Sequence, residues 1–272
     1  MLGVNRGAIY LITLGSNLTV VSFVKISDIS GGFTAVLSNY DLFGASVTSL
    51  PALDASLSTM SPSSAADSSN DSDVSGDDRV YESHYIGVGC YYDDDGGSAR
   101  GAVYILSIHP LTHLVLSFLK ISDLSGGFTG LLENTDSFGI SIASLTTPED
   151  SVGSENETGS VLNNPGMIVG ASDDDDGGNA RGAIYIIWWN LTSFINYDNP
   201  SNPSNPDMNS TGGNDNSSYS SPSSPSSPGS RRNVSYVSSF QKVSNSMGNF
   251  TAVFSDEAYF GYAVIYIYPN IP

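Results

Sequence analysis

The sequence has few of the residues on which several common classes of function depend. It holds one cysteine and three histidines in 272 residues, so an intrachain disulfide framework is excluded and histidine-based metal or catalytic centres are poorly supplied. Lys and Arg total 9 against 28 Asp and Glu, which leaves a formal charge of -19. Because such a field repels phosphate backbones and attracts cations, we do not expect nucleic acid as a partner.

Long apolar runs are also missing. No run approaches the ~20 apolar residues that span a bilayer, so we expect no membrane span. The apolar run that follows Arg6 lacks the small-residue cleavage motif of a signal peptide and has the sequence of a repeat strand. Asn-X-Ser/Thr sequons hint at a secretory route without showing one, since chance supplies several in a chain rich in Asn, Ser and Thr. They begin at Asn17, Asn70, Asn156, Asn190, Asn209, Asn216, Asn233 and Asn249.

The sequence does contain a tandem repeat. The block 26–44 recurs at 121–139 and at 243–261, and the first two copies share 13 of 19 residues. A second block, 89–106, recurs at 170–187 with 12 of 18 identities, and its last part recurs at 5–12. These matches predict an array of one structural unit.

Each unit contains short apolar, β-branched runs separated by Gly and Asx turns, and no helical period occurs. Stretches rich in Ser, Asp, Asn and Pro at 51–83, 146–164 and 196–232 have too few apolar residues to build a core, which predicts disordered inserts. Four antiparallel strands per repeat are typical of a propeller blade. We therefore predict an all-β fold: a partial or incomplete β-propeller of four-stranded antiparallel blades with disordered inserts.

The motifs, in this order, resemble FG-GAP repeats, the blades of the integrin α-subunit-like β-propeller. The Phe-Gly element begins at Phe43, Phe138 and Phe260, and the GAP element is Val88-Gly89-Cys90 and Val169-Gly170-Ala171. The resemblance implies the last two strands of a first blade and a linker in 1–42. It implies complete blades in 43–137 and 138–258, and the first strand of a further blade in 259–272. It also implies an extracellular or cell-surface binding or adhesion module with a protein or glycan ligand.

Calcium is implied by the same resemblance, because FG-GAP blades often carry an Asp-rich calcium loop between the two elements. The nearest remnant has alternate carboxylates and a hydroxyl, but Arg79 stands where the last ligand should fall, which would weaken a calcium site. The candidate ligands of this remnant are Asp71, Asp73, Ser75 and Asp77.

The two acidic Gly-Gly loops are a second candidate metal site. Adjacent carboxylates repel and gain from a shared cation such as Ca²⁺. The alternative is a solvated loop whose charge is partly neutralised by Arg100 or Arg181. The candidate ligands are Asp93, Asp94, Asp95, Asp173, Asp174 and Asp175.

The remaining candidates each have a structural alternative. His109 and His113 have the spacing of a metal pair, but Pro110 and the neighbouring strands predict a hairpin loop. The pair Trp188-Trp189 ends a strand and is either a ligand-stacking platform or core packing. Cys90 stands where the next repeat has alanine, which predicts a small buried residue.

No Ser/His/Asp or paired-acid set recurs, so the prediction is a non-catalytic chain. A propeller-fold enzyme, a carbohydrate-binding accessory domain and a truncated gene fragment without autonomous function stay open as alternatives. The chain has two complete blades and parts of two others, which is fewer than the four to eight blades that closed propellers typically have. We therefore expect either part of a longer propeller or self-association through open blade edges.

Overall fold

The computed structural model describes residues 4–50, 83–145, 166–189 and 236–267. No helix occurs in these ranges, and so none that is long and apolar enough to cross a membrane. The strands are β1 (Ile9–Leu14), β2 (Val20–Ile26), β3 (Val47–Leu50), β4 (His84–Cys90), β5 (Ala102–Ile108), β6 (Val115–Ser122), β7 (Phe138–Leu145), β8 (Gly166–Ala171), β9 (Ala183–Trp189) and β10 (Val237–Ser244). They form three sheets: sheet 1 is β1–β2, sheet 2 is β3–β6 and sheet 3 is β7–β10.

The all-β prediction with four-stranded antiparallel sheets is confirmed. In sheets 2 and 3 each strand pairs antiparallel with the next strand along the chain. The predicted inserts lie outside the described residues, apart from Ser83, which directly precedes β4. Residues 261–267, which the resemblance assigns to a further blade, contain no strand in the described structure.

The sheets stack face to face, and β5 shows why the sequence folds this way. All seven residues of β5 are buried. Because alternate side chains of a strand point to opposite faces, Val103 and Ile105 enter the core shared with sheet 3. Tyr104 and Leu106 enter the core shared with sheet 1. A continuous apolar run is therefore the expected sequence of a strand covered on both faces.

The Arg-Gly and Phe-Gly motifs join each sheet to the chain that leads into the next. Parallel bridges pair Gly7 with Phe43, Gly101 with Phe138, and Gly182 with Phe260. At Gly101 the backbone φ is +89°, and a Cβ atom would lie 2.1 Å from the carbonyl oxygen of Phe138. Only glycine allows this approach, which explains why the motif recurs with glycine at this place.

The order of the strands places the connections at two opposite ends of the strands. Consecutive turns of an antiparallel meander alternate between these ends, so the β3–β4, β7–β8 and β9–β10 connections, which contain the three polar inserts, leave from one end of the strands. The β4–β5 and β8–β9 loops lie at the opposite end of the strands, which we call the loop end. These two loops are the acidic Gly-Gly loops.

Candidate functional site in the acidic loops

Each acidic loop is held by its own carboxylates. In the first loop, Asp93 Oδ1 accepts a hydrogen bond from the Asp95 amide at 3.0 Å, and Asp94 Oδ1 accepts one from the Ala99 amide at 2.8 Å. The second loop repeats both bonds: Asp174 to the Asp176 amide at 3.0 Å and Asp175 to the Ala180 amide at 2.7 Å. Asp94 and Asp175 therefore stabilise the turn itself, as Asx side chains commonly do.

A lysine ammonium lies between the two other carboxylates of each loop. Lys120 Nζ is 2.8 Å from an oxygen of Asp93 and 2.8 Å from one of Asp95. Lys242 Nζ is 2.6 Å from Asp174 and 2.8 Å from Asp176. Each lysine lies near the last residue of the fourth strand of its sheet, at the same end of the strands as the acidic loop. It supplies the positive charge that a metal ion would otherwise supply to the carboxylate pair.

Hydroxyl groups complete each cluster. Ser122 Oγ donates to Asp95 at 2.9 Å, and Ser244 Oγ donates to Asp176 at 3.0 Å. Burial lowers the pKa of Lys120, but Asp93 and Asp95 outweigh burial and hold that pKa above its usual value. Burial raises the pKa of Asp95, but Lys120 and the neighbouring serines outweigh it and hold that pKa below its usual value. The ionised forms of Lys120 and Asp95 are therefore favoured. In the second cluster the two carboxylates likewise hold the pKa of Lys242 above its usual value, but burial outweighs Lys242 at Asp174 and raises the pKa of that carboxyl.

The expectation that Arg100 and Arg181 neutralise these loops is wrong. Arg100 Nη1 instead pairs with Asp123 at 2.7 Å, and Arg181 Nε pairs with Asp256 at 3.0 Å. These arginines reach the 19-residue repeat block that begins at the end of the fourth strand of their own sheet, whereas the lysine on that strand faces the loop directly. The arginine is the cation nearest to each acidic loop along the sequence, but the cation that neutralises the loop is a lysine on a neighbouring strand of the sheet.

A buried acid lies behind each loop. Asp41 is 2% exposed; its Oδ2 accepts a hydrogen bond from the Ser38 amide at 2.6 Å, and its Oδ1 has no hydrogen-bond partner in the structure. Burial raises the pKa of Asp41 to about 6, and the nearby charge of Asp93 adds to the rise. Asp136, at the same place in the next repeat, has its pKa raised to about 7 by burial, with Asp174 contributing.

Asp41, Cys90 and Asp93 together could hold a metal ion. One potential ligand atom from each lies within 4.8 Å of the others, and all three residues are buried. The free carboxylate oxygen of Asp41 favours such a site. The ammonium of Lys120 on Asp93 opposes it, and so does the raised pKa of the Cys90 thiol, which burial and the nearby Asp93 and Asp41 keep protonated. A thiol with two carboxylates suits zinc better than calcium, which takes oxygen ligands.

The structure separates the other predicted residues from this cluster. Asp173 accepts a hydrogen bond from the Ser172 hydroxyl at 2.8 Å and does not contact the lysine. Asp71, Asp73, Ser75 and Asp77 lie outside the described residues. The predicted burial of Cys90 is confirmed. Trp189 packs in the core, and its neighbour Trp188 is half-buried on the other face of β9.

The histidine pair lies in the turn between β5 and β6, as the sequence predicts. Nδ1 of His109 accepts hydrogen bonds from the amides of Leu111 and Thr112 at 3.2 and 3.1 Å. This nitrogen is therefore used to hold the turn, which is a structural role rather than that of a zinc ligand.

An open pocket of about 190 Å³ lies beside the acidic loops, where sheets 2 and 3 meet. Tyr91, Tyr92 and Tyr262 contribute aromatic rings, and Ser137 and Asp173 contribute polar groups. The rings of Tyr91 and Tyr92 pack edge to face with centroids 4.8 Å apart. Burial raises the pKa of Tyr91, with Tyr92, Tyr262 and Asp173 adding to the rise, so its hydroxyl stays a hydrogen-bond donor.

Sequence reasoning missed the lysines, the buried acids and Asp176. The lysines were detectable, since Lys recurs one residue before each copy of the 19-residue block, at 25, 120 and 242. The buried acids carried a weaker signal, because the third copy has Ala258 in their place. No model of a known protein family matches the chain, and no curated protein matches it significantly.

Proposed function

We propose that the chain is a non-catalytic binding or adhesion-type module, built as part of a β-propeller, with a ligand site beside the acidic loops at the ends of the strands. The observation that supports this function is the pocket formed by Tyr91, Tyr92, Tyr262, Ser137 and Asp173. Two successive sheets contribute to it, so the stacking of the sheets is what creates the site.

The chemistry of the pocket favours a glycan over a protein as its ligand at the cell surface. Tyrosine rings offer flat apolar faces together with hydroxyl groups, and the pocket is smaller than the roughly 300–1,000 Å³ of sites for drug-sized ligands. It therefore suits one sugar ring. Asp173 and the charge of -19 disfavour anionic sugars. The same features support a carbohydrate-binding accessory domain as the second candidate function.

A labelled sample of the chain on an array of neutral and anionic glycans tests this proposal. We expect binding to neutral glycans, weakened about tenfold by the double variant Tyr92→Ala, Tyr262→Ala, because two stacking contacts are lost. Tyr40→Ala is the matched control, since Tyr40 is exposed and lies outside the pocket. Equal losses in both variants, or no binding to any glycan, would contradict the glycan site. Release of reducing sugar during incubation would contradict the non-catalytic assignment.

For the calcium implied by the resemblance, we propose the segment with Asp71, Asp73, Ser75 and Asp77 rather than the acidic loops. In both loops a lysine ammonium already lies between the carboxylates. Calorimetric titration with CaCl₂ tests this: we expect the heat of binding to be lost in Asp71→Asn, Asp73→Asn and kept in Asp94→Asn. The reverse pattern would place the ion in the acidic loops.

A further inference from the structure

The internal junctions between sheets share one aromatic arrangement. At the first junction, Tyr104 of sheet 2 packs edge to face on Phe33 and Phe43, with centroids 5.5 and 5.6 Å away. Phe118 lies beside Tyr104 and also contacts Phe33, at 5.1 Å. The second junction repeats the arrangement with Tyr185, Phe128, Phe138 and Phe240. Each junction is thus a tyrosine and a phenylalanine of one sheet inserted against a phenylalanine pair that precedes it.

Sheet 1 presents the inserting half of this arrangement to solvent. Its outer face carries Tyr10, Ile12, Leu14 and Phe23, which we call the head surface. Tyr10 and Phe23 are 54% and 64% exposed, whereas the equivalent Tyr104 is 1% exposed. Their ring centroids are 6.1 Å apart at 52°, and those of Tyr104 and Phe118 are 6.1 Å apart at 51°. The head surface therefore already has the geometry of a buried junction.

The receiving half is present at the other end of the described chain. Phe250, Phe254 and Phe260, which we call the tail surface, correspond to Phe33, Leu37 and Phe43 in the repeat. Phe250 and Phe260 stack with centroids 5.1 Å apart at 16°. The two internal receiving pairs stack at 4.9 Å and 22°, and at 5.3 Å and 24°. In the described structure no tyrosine packs edge to face on the tail pair, so this receiving site is formed and open.

We propose that the head surface of one copy of this chain docks on the tail surface of a second copy, which makes a head-to-tail junction of the same kind as the two internal ones. Tyr10 and Phe23 would pack against Phe250 and Phe260 as Tyr104 and Phe118 pack against Phe33 and Phe43. Ile12 and Leu14 would be covered as their equivalents Leu106 and Ile108 are. Because the two surfaces differ, the contact is heterologous and allows chains of copies or a closed ring.

Charge supports this choice of partner. Residues 4–27 hold Arg6 and Lys25 and no acidic residue, whereas residues 245–267 hold Asp256 and Glu257 and no basic residue. Arg6 and Asp256 are engaged within the chain, with Asp28 and Arg181. Lys25 and Glu257 therefore remain as the complementary charges of the two surfaces. In a chain with a formal charge of -19, a segment that has only positive charges is unusual. Its charge is complementary to that of the acidic segment 245–267, which favours contact between the two.

The tail also lacks the group that would make docking costly. The internal junctions bury Asp41 and Asp136 beneath the next sheet, and burial raises the pKa of both. The third copy has Ala258 at this position. A head-to-tail contact would therefore bury aromatic area without burying a carboxylate.

Sedimentation of the full chain across micromolar to submillimolar concentration tests the proposal. We expect the average mass of the wild type to rise with concentration beyond that of a dimer. Tyr10→Asp removes the head, Phe250→Asp removes the tail, and each should weaken self-association at least about tenfold, as loss of a central interface aromatic does. Val36→Asp is the matched control, because Val36 is an exposed apolar residue outside both surfaces and its loss should change nothing.

Mixing the two variants separates a heterologous contact from other modes. Tyr10→Asp keeps its tail and Phe250→Asp keeps its head, so a 1:1 mixture should form a dimer of defined mass that grows no further. Far-ultraviolet circular dichroism should show that both variants keep the fold of the wild type. A wild type that stays monomeric, which would leave these surfaces to another protein or to further repeats, overturns the proposal. So does a mixture that forms no dimer, or either variant associating as the wild type does.

Discussion

Replacing Lys120 by methionine should strongly destabilise the fold, because it leaves two carboxylates facing each other without a cation. The side chain of Lys120 is 18% exposed, and that of Asp93 is 5% exposed. Removal of one partner of a buried ion pair typically costs about 3–5 kcal/mol. Asp95 is one-third exposed, so solvent screens part of its charge. We therefore expect a loss of about 3 kcal/mol in the free energy of unfolding.

Lys25 offers a matched control within the same chain. It has the position of Lys120 in the repeat but is exposed, and no acidic loop precedes β1 in residues 4–8. Lys25→Met should change the unfolding free energy by less than about 0.5 kcal/mol. The measurement is equilibrium urea unfolding followed by far-ultraviolet circular dichroism, at a concentration at which all variants sediment alike. Asp93→Asn added to Lys120→Met should recover part of the loss, because the unpaired charge is removed.

Calcium provides a second readout of the same cluster. Lys120→Ala vacates the space between Asp93 and Asp95, so a divalent ion can take the place of the ammonium. Millimolar Ca²⁺ should then raise the melting temperature of Lys120→Ala more than that of the wild type or of Lys25→Ala. Equal costs for Lys120→Met and Lys25→Met, or additive costs for Lys120→Met and Asp93→Asn, would refute the reasoning that a lysine replaces a metal here.

Three further outcomes follow from single residues. The folded-state pKa of Asp136 is raised to about 7, so its stabilising contribution is complete below about pH 4 and lost as the pH rises through 7. Urea unfolding from pH 4 to 8 should therefore show Asp136→Asn gaining stability relative to the wild type, whereas the exposed control Glu257→Gln should not. Gly101→Ala should lower the free energy of unfolding by at least about 2 kcal/mol, because of backbone strain and overlap with the Phe138 backbone. Gly15→Ala, whose Cβ would meet only side-chain atoms, should lower it by less than about 1 kcal/mol. Thermal melts compare the two variants. Cys90→Ala should cost under about 1.5 kcal/mol, because the next repeat has alanine there, and the wild-type thiol should react with a disulfide reagent only on unfolding.

The repeat made most of the architecture predictable. Apolar runs bounded by glycine turns identified the strands, and the block spacing indicated four strands in each unit. What the sequence could not provide was the partner of each charge. Lys120 is 25 residues or more from the carboxylates that it contacts, and only the pairing of β5 with β6 brings them together. The nearer Arg100 was the natural choice along the chain, but it reaches Asp123.

Self-association through open blade edges stays a prediction, and sheet 1 consists of two edge strands in the described structure. The sequence did not indicate that the structure would also expose a sheet face at Tyr10 and an aromatic cluster at Phe250. Faces are bound by side-chain packing and edges by backbone hydrogen bonds, so the two imply different partners. The distinction required knowing which face of β1 each residue occupies, and period-two alternation alone does not say which face is covered.

Strand β5, with neighbours on both faces, makes the middle of the molecule the last part to open. Separating sheet 2 from either neighbour exposes one row of its side chains, and unfolding sheet 2 itself exposes both. Amide hydrogens in 102–108 should therefore exchange most slowly, with exchange quickening outward toward residues 9–14, so that the stack behaves as a one-dimensional array whose ends fray first.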